Sequence, residues 1–587
     1  MPHHAIVGAR VRSAGRTGPV AEPSGPVTGS VPTETAAPSD LLLAEGAPGA
    51  RRRLAPTGPG LRWAADLAGR PNAVARRARD LSTELGRIAI GRSARAPGQR
   101  DRRFTDEAWR TNPVLRRILQ AYLAADGTVH GLLDDAHLGW RDHTRLEFAV
   151  DNLIAALAPS NNPFISPTAW KALVDSRGTS VVRGLRNLVT DLAAAPRVPT
   201  TVRPDAFEVG VDLALTPGRV VLRTATFELI QYTPRTPTVR TRPLLVVPPV
   251  INKYYIADLA PGRSLVEYLV RGRQQVFMIS WRNPDARHRD WGADVYGQAI
   301  LDALDAALTV TGADVGTVLG FCSGGTLQSM ALATLQQRGE LADKVAGFAL
   351  AVCVLDQARA GVAGAFLDAT TAAAATAVSA RRGYLDGRTL AEVFAWLRPD
   401  DLIWNYWVNN YLQGKDPAPF DILFWNADTT RMTGALHHDL LDLALRNALV
   451  RSGDASMLGE PVDLSAITTD GYVVAGGADH ISPWQACYRS AQLFGGCMRF
   501  VLSASGHIAA LVNPPTNFKA TYQVSADLHA EPAAWQGATP LTQGSWWPDY
   551  LSWLSERSGP DRDAPDALGG AGLTPLDPAP GVYVLDR

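Results

Sequence analysis

Residues 318–330 read VLGFCSGGTLQSM, and the reactive atom of that stretch is the sulfur of Cys322. The apolar run Val315–Leu319 is patterned as a short strand, and Thr326–Gln337 is patterned as a helix. Between them, Gly320-Phe321-Cys322-Ser323-Gly324-Gly325 has the spacing of a G-x-S-x-G nucleophile elbow with cysteine in the serine's place. So sharp a turn needs small flanking residues. It lifts the side chain above the sheet and sets it at a helix N-terminus, whose free N–H groups and dipole favour a thiolate and a developing oxyanion. A glycine-rich turn around an inert buried cysteine is the structural alternative.

Two later stretches complete a nucleophilic set. GGADHISPW places Asp479 and His480 after the strand-like YVVAGG, and SASGHIAALVNPP places His507 after the strand-like MRFVLSASG, read as the last strand. Nucleophile, acid and histidine in that chain order are the arrangement of α/β-hydrolases. Of the eleven histidines, His507 alone has the base's place; His437 and His438 in ALHHDLL read as surface or cap residues, and His480 as a neighbour of the acid with a secondary role at most. The oxyanion hole needs a second N–H from the loop LLVVPPVINKYY. Pro248 and Pro249 cannot donate, so elimination leaves the backbone N–H of Val250, with that of Ser323 as its partner. A rigid Pro-Pro turn is the alternative. No metal-ligand spacing is present, so no metal is expected.

These residues must be carried by a chain of 587, too long for one compact core. Lys+Arg and Asp+Glu are equal at 57 each, which removes any global attraction to nucleic acid. The cysteines Cys322, Cys353, Cys487 and Cys497 form no CxxC pair and no disulfide framework, which fits a reducing cytoplasm. No apolar run approaches the ~20 residues of a membrane span. Residues 1–60, rich in Pro, Gly, Ser and Thr, read as a disordered tail. Residues 61–204 read as a helical domain, with an amphipathic stretch interrupted by Pro71. From 205 to 587, short β-branched runs alternate with helical patterns, predicting an α/β fold with a mostly parallel sheet. The rhythm breaks at about 356–450, an aromatic-rich insertion that predicts a cap. Its Trp396, Trp404, Tyr406, Trp407 and Trp425 are suited to excluding water from the site, or equally to ordinary core packing.

Over residues 100–587 the chain resembles the polyhydroxyalkanoate synthases, specifically the single-subunit class I/II kinds. The resemblance is carried by DRRFTDEAWRTNP, DAFEVG, RPLLVVPPVINKYYIADL, SWRNPD, GFCSGG, WLRPDDLIWNYWVNNYL, FDILFWNAD, DHISPW, SGHIAALVNPP and GSWWPDYLSWL. It implies an α/β-hydrolase fold with a mobile cap behind a helical N-terminal domain, and a triad of Cys322, Asp479 and His507. It further implies (R)-3-hydroxyacyl-CoA as substrate, a polyester as product, and no cofactor, CoA being the leaving group. A homodimer at a cytoplasmic polymer granule, with granule-associated proteins as neighbours, is part of the same implication. SAQLFGG and FDILFWNADTTR look like the medium-chain enzymes. His507-Ile508-Ala509-Ala510 looks nearer the short-chain kind, which points to monomers such as 3-hydroxybutyrate and 3-hydroxyvalerate.

Two other functions fit the same residues. An esterase, thioesterase or intracellular depolymerase would share the fold and differ in admitting water. A granule-coat protein that had lost catalysis would not need an intact Cys/Asp/His set.

Overall fold

The strand order follows from which segments are apolar throughout and which alternate. Pro243–Val247, Gly316–Phe321 and Gly471–Gly476 are buried along their whole length, as strands covered on both faces must be. The computed structural model describes residues 57–98, 101–193, 195–358 and 369–587. Numbered along the chain, the strands of its ten-stranded main sheet are β1 (Gly218–Arg223), β2 (Phe227–Tyr232), β3 (Pro243–Val247), β4 (Gln275–Trp281), β5 (Gly316–Phe321), β6 (Val345–Ala351), β7 (Gly471–Gly476), β8 (Met498–Ser503), β9 (Thr521–Ser525) and β10 (Leu541–Gln543). Their spatial order is β1-β2-β4-β3-β5-β6-β7-β8-β9-β10.

From β4 to β8 every neighbouring pair is parallel. Antiparallel pairs close both edges: β1 with β2 and β2 with β4 on one side, β8 with β9 and β9 with β10 on the other. The sheet is therefore mixed. The strand carrying His507 at its end is the last parallel strand, not the last strand. β9 is short and largely half-buried and β10 is exposed at all three residues, so they lack the apolar run that marks the central strands.

The N-terminal helices are α1 (Thr57–Ala68), α2 (Pro71–Ala89), α3 (Pro113–Asp134), α4 (Trp140–Ala156) and α5 (Thr179–Ala193). α1 begins at Thr57, inside the stretch read as tail; residues 1–56 of that stretch lie outside the described residues. The break read at Pro71 is real, and its cause is positional. Proline opens α2 at a first-turn position, where its missing N–H costs nothing. Among the described residues no helix is long and apolar enough to cross a membrane.

The insertion is helical, with Ala369–Arg382, Gly387–Leu397, Asp421–Ala427 and Gly434–Arg446 joined by π-helical turns at Asp400–Trp404 and Trp407–Leu412. Those turns are gripped by the N-terminal helices. Tyr411 Oη donates to Asp191 at 2.7 Å, Asn410 Nδ2 to the Thr200 carbonyl at 2.7 Å, and Trp407 Nε1 to the Asn161 carbonyl at 3.1 Å. The insertion thus rests on the helical layer while its other side faces the ends of the parallel strands.

Candidate active site

Gly320 and Gly324 make the elbow possible. A Cβ on Gly320 would lie 2.6 Å from the Gly325 Cα, and one on Gly324 would lie 2.3 Å from the Pro248 carbonyl oxygen. With those atoms absent, β5 passes directly into the helix α6 (Ser323–Gln337), and the loop after β3 closes on its first turn. Both elements begin within a residue or three of where the sequence pattern puts them. Cys322 stands between them at φ 50° and ψ −125°, a left-handed conformation that costs a non-glycine residue on the order of 1–3 kcal/mol. Its N–H is held by the Ala351 carbonyl at 3.0 Å. The residue is 4% exposed and borders an apolar cavity described below.

Asp479 and His507 come from adjacent loops that are stitched together. Gly477 N–H donates to the Ser503 carbonyl at 2.7 Å, and Ala478 N–H to the Ser505 carbonyl at 3.0 Å. This fixes the chain after β7 against the chain after β8. Asp479 Oδ1 accepts the N–H groups of Ile481 (2.8 Å) and Ser482 (2.9 Å), leaving Oδ2 to face the ring. His507 Nδ1 lies 2.7 Å from that Oδ2. His507 opens a short helix, His507–Leu511, pinned from behind by Trp546 Nε1 on the Ala510 carbonyl at 2.7 Å.

Cys322 and His507 line the same cavity, and the sulfur is near enough to contribute to the charge state of the ring. Three residues that lie 157 and 28 positions apart in the sequence are therefore one constellation. Burial alone would discharge the imidazole, but the Asp479 charge and hydrogen bond, with the sulfur as a smaller contribution, raise its pKa to about 10 from an ordinary 6.5. A pKa raised on folding means stabilisation that is complete below about 6.5 and lost as pH climbs through about 10. The wild-type melting temperature is accordingly expected to fall between those limits, and a His507→Gln variant to show a flatter profile. Parallel profiles would remove His507 as the source.

The cavity has a volume of about 350 Å³, and its apolar wall, which includes Ile251, Phe420, Leu423 and Trp425, is broken by polar residues, among them Asn252, Arg398, Asn426 and His480. His480 does not join the Asp479–His507 pair. Burial, reinforced by Arg398 and His507 against the opposing carboxylates, pushes its pKa down to about 4, so its ring is neutral at physiological pH. Of the five aromatics read as shields, Trp425 lines this cavity, its Nε1 fixed on the Lys253 carbonyl at 2.7 Å. Trp404 and Trp407 instead pack on each other, ring centres 5.9 Å apart, on the side gripped by the helical layer. Arg398 and Asn252 carry no sequence signal of site membership; only the folding of the insertion over the loop after β3 brings them to the cavity. His437 is buried in the insertion against Ser379 at 2.7 Å, and His438 is exposed.

The oxyanion loop differs from its expected state. Val250 N–H is where elimination placed it, beside the elbow, but it donates to the Ser323 hydroxyl at 3.2 Å. The loop is held by Trp281 Nε1 on the Pro248 carbonyl at 3.0 Å.

This strand order, with Cys322 at the β5–helix elbow and Asp479 and His507 after later parallel strands, defines an α/β-hydrolase-fold protein, and a family model described as "alpha/beta hydrolase fold" matches residues 255–514. A second model, "Poly-beta-hydroxybutyrate polymerase (PhaC) N-terminus", matches residues 100–269. The chain is 46% identical to poly(3-hydroxyalkanoate) polymerase 2 of Ectopseudomonas oleovorans across 86% of its own length and 90% of the relative's. It is 40% identical to the poly(3-hydroxyalkanoate) polymerase subunit of Cupriavidus necator, across 86% of each. The chain belongs to the poly(3-hydroxyalkanoate) polymerase family. Among solved structures, the monoacylglycerol lipase of Paleococcus ferrophilus is similar at 13% identity and a TM-score of 0.31, over 56% of this chain and 99% of that one.

Proposed function

We propose that the chain polymerises (R)-3-hydroxyacyl-CoA thioesters into polyester, carrying the acyl group on Cys322 and releasing CoA. As a member of its family it is a transferase that builds poly(3-hydroxyalkanoate). The observation that carries the mechanism is a sulfur at an elbow, sharing a cavity with an imidazole whose Nδ1 lies 2.7 Å from a buried carboxylate.

The steps follow from those contacts. With its pKa raised to about 10, His507 holds the thiol proton as an imidazolium beside the Cys322 thiolate, and the thiolate attacks the thioester carbonyl. The tetrahedral oxyanion collapses, and the CoA sulfur leaves with the bonding pair and collects the proton from the imidazolium. Exchanging one thioester for another is nearly isoenergetic, so the acyl-enzyme keeps the driving force for the next bond. An oxygen nucleophile would drop it to an oxoester first. His507 then accepts the proton of the 3-hydroxyl group that attacks the acyl carbon, and an ester bond replaces the C–S bond. Asp479 holds the ring in the required tautomer and stabilises its charged form. No cofactor enters any step. The apolar cavity wall supports a hydrolytically quiet acyl-enzyme.

The same reading places the chain in the cytoplasm as a homodimer on the surface of its own product, among granule-associated proteins. Support comes from α5, whose Val181, Val182, Leu185, Val189 and Leu192 are exposed along one side, an apolar strip suited to an ester surface. The rival hydrolase reading is separated by product. Purified protein given (R)-3-hydroxyacyl-CoAs of several lengths is expected to release CoA and form insoluble polyester, with short acyl chains turned over faster. Free 3-hydroxy acid in stoichiometric amount would make it a thioesterase.

A further inference from the structure

Ser323 follows the nucleophile, is fully buried, and opens α6. Its backbone N–H is one of the donors that a helix start leaves without an intrahelical partner. Its side chain is in an unusual state. The oxygen accepts the Val250 N–H at 3.2 Å, and none of the described residues accepts the hydroxyl proton. A buried O–H proton without an acceptor is a cost that native structures avoid unless an acceptor arrives from elsewhere.

The surroundings indicate which acceptor that is. The Val250 N–H has been drawn off to Ser323 and is no longer free to meet a substrate oxygen directly. The hydroxyl it feeds belongs to the residue next to the sulfur, within the same tight turn that Gly324 allows to close on Pro248. A hydroxyl that accepts a hydrogen bond becomes a better donor, because each bond in such a chain polarises the next.

We propose that the Ser323 hydroxyl, backed by the Val250 N–H, is the second oxyanion donor of this site. The inference rests on the thioester reading of Cys322. As the C–S bond forms, the carbonyl π pair moves onto oxygen. The hydroxyl donates a hydrogen bond to that oxygen and keeps its own proton. When the double bond re-forms, CoA sulfur departs with its electron pair and the hydroxyl is left as it began. The donors at the site are then the Ser323 N–H and the Ser323 O–H, with Val250 one step behind.

The test uses the full chain and CoA release from (R)-3-hydroxybutyryl-CoA. Removing one oxyanion donor typically slows an enzyme by a factor of about 10²–10³, so Ser323→Ala is expected to lower kcat roughly a hundredfold or more with KM little changed. Ser323→Thr, which keeps the hydroxyl, is expected to restore most of the rate. A wild-type or raised kcat in Ser323→Ala would show that Val250 donates directly once the hydroxyl is gone, and would overturn the proposal. If alanine lowers the melting temperature enough to confuse the result, Ser323→Thr and Ser323→Val decide it. That pair has the same shape and differs in the hydroxyl alone, so equal kcat values refute the role. Failure of the thioester reading is distinguishable, because it shows as CoA release that survives loss of the Cys322 sulfur in an otherwise unchanged chain.

Discussion

Replacing Cys322 with alanine is expected to abolish CoA release from (R)-3-hydroxybutyryl-CoA, a loss of roughly 10⁴-fold or more. The change removes the proposed acyl carrier and leaves the rest of the elbow intact. Alanine keeps the Cβ, so the φ of 50° is no easier and no harder to hold, and the Cys322 N–H still reaches the Ala351 carbonyl. The melting temperature should therefore stay close to that of the wild type, which separates lost chemistry from lost fold. A variant that folds and still releases CoA at the wild-type rate would end the assignment of Cys322 as nucleophile.

Asp479→Asn is expected to slow turnover by roughly 10³–10⁴-fold while the protein stays folded. The reason lies in which oxygen does what. Oδ1 accepts two backbone N–H groups, from Ile481 and Ser482, so in the variant that position must remain a carbonyl oxygen. The new NH₂ group is then forced toward His507 Nδ1, which now sits 2.7 Å from a carboxylate oxygen. A donor there obliges Nδ1 to become an acceptor and moves the ring proton to Nε2, the nitrogen that must take the thiol proton. The ring also loses the charge that stabilises its protonated form. A rate within a few-fold of wild type would show that Asp479 does not orient the base.

The central strands were legible because burial on both faces writes an unbroken apolar run, as in RPLLVV, QQVFMISW and GYVVAGG. The elbow was legible because so tight a turn admits few residues, and its glycines have visible steric reasons. Asp479 and His507 could be placed by chain order at strand ends. The edge strands Thr521–Ser525 and Leu541–Gln543 were not, since strands of three to five residues that are partly or wholly exposed leave no such run. Nor could the sequence distribute the aromatics of the insertion. Trp425 and Trp407 look alike in a string of letters, and only the packing of the helical layer sends one toward the sulfur and the other away. The engagement of Val250 by Ser323 was out of reach for the same reason, a contact across 73 positions between a backbone group and a short side chain.

The size of the chamber around the sulfur has a consequence for how such a catalyst must run. A space of about 350 Å³ is of the order of a single small ligand, whereas the polyester has no fixed length. Product cannot be stored where it is made. On the proposed thioester mechanism, each round has to thread the units already joined outward past the insertion, so the molecule would work as an extruder, its mouth never clear between strokes.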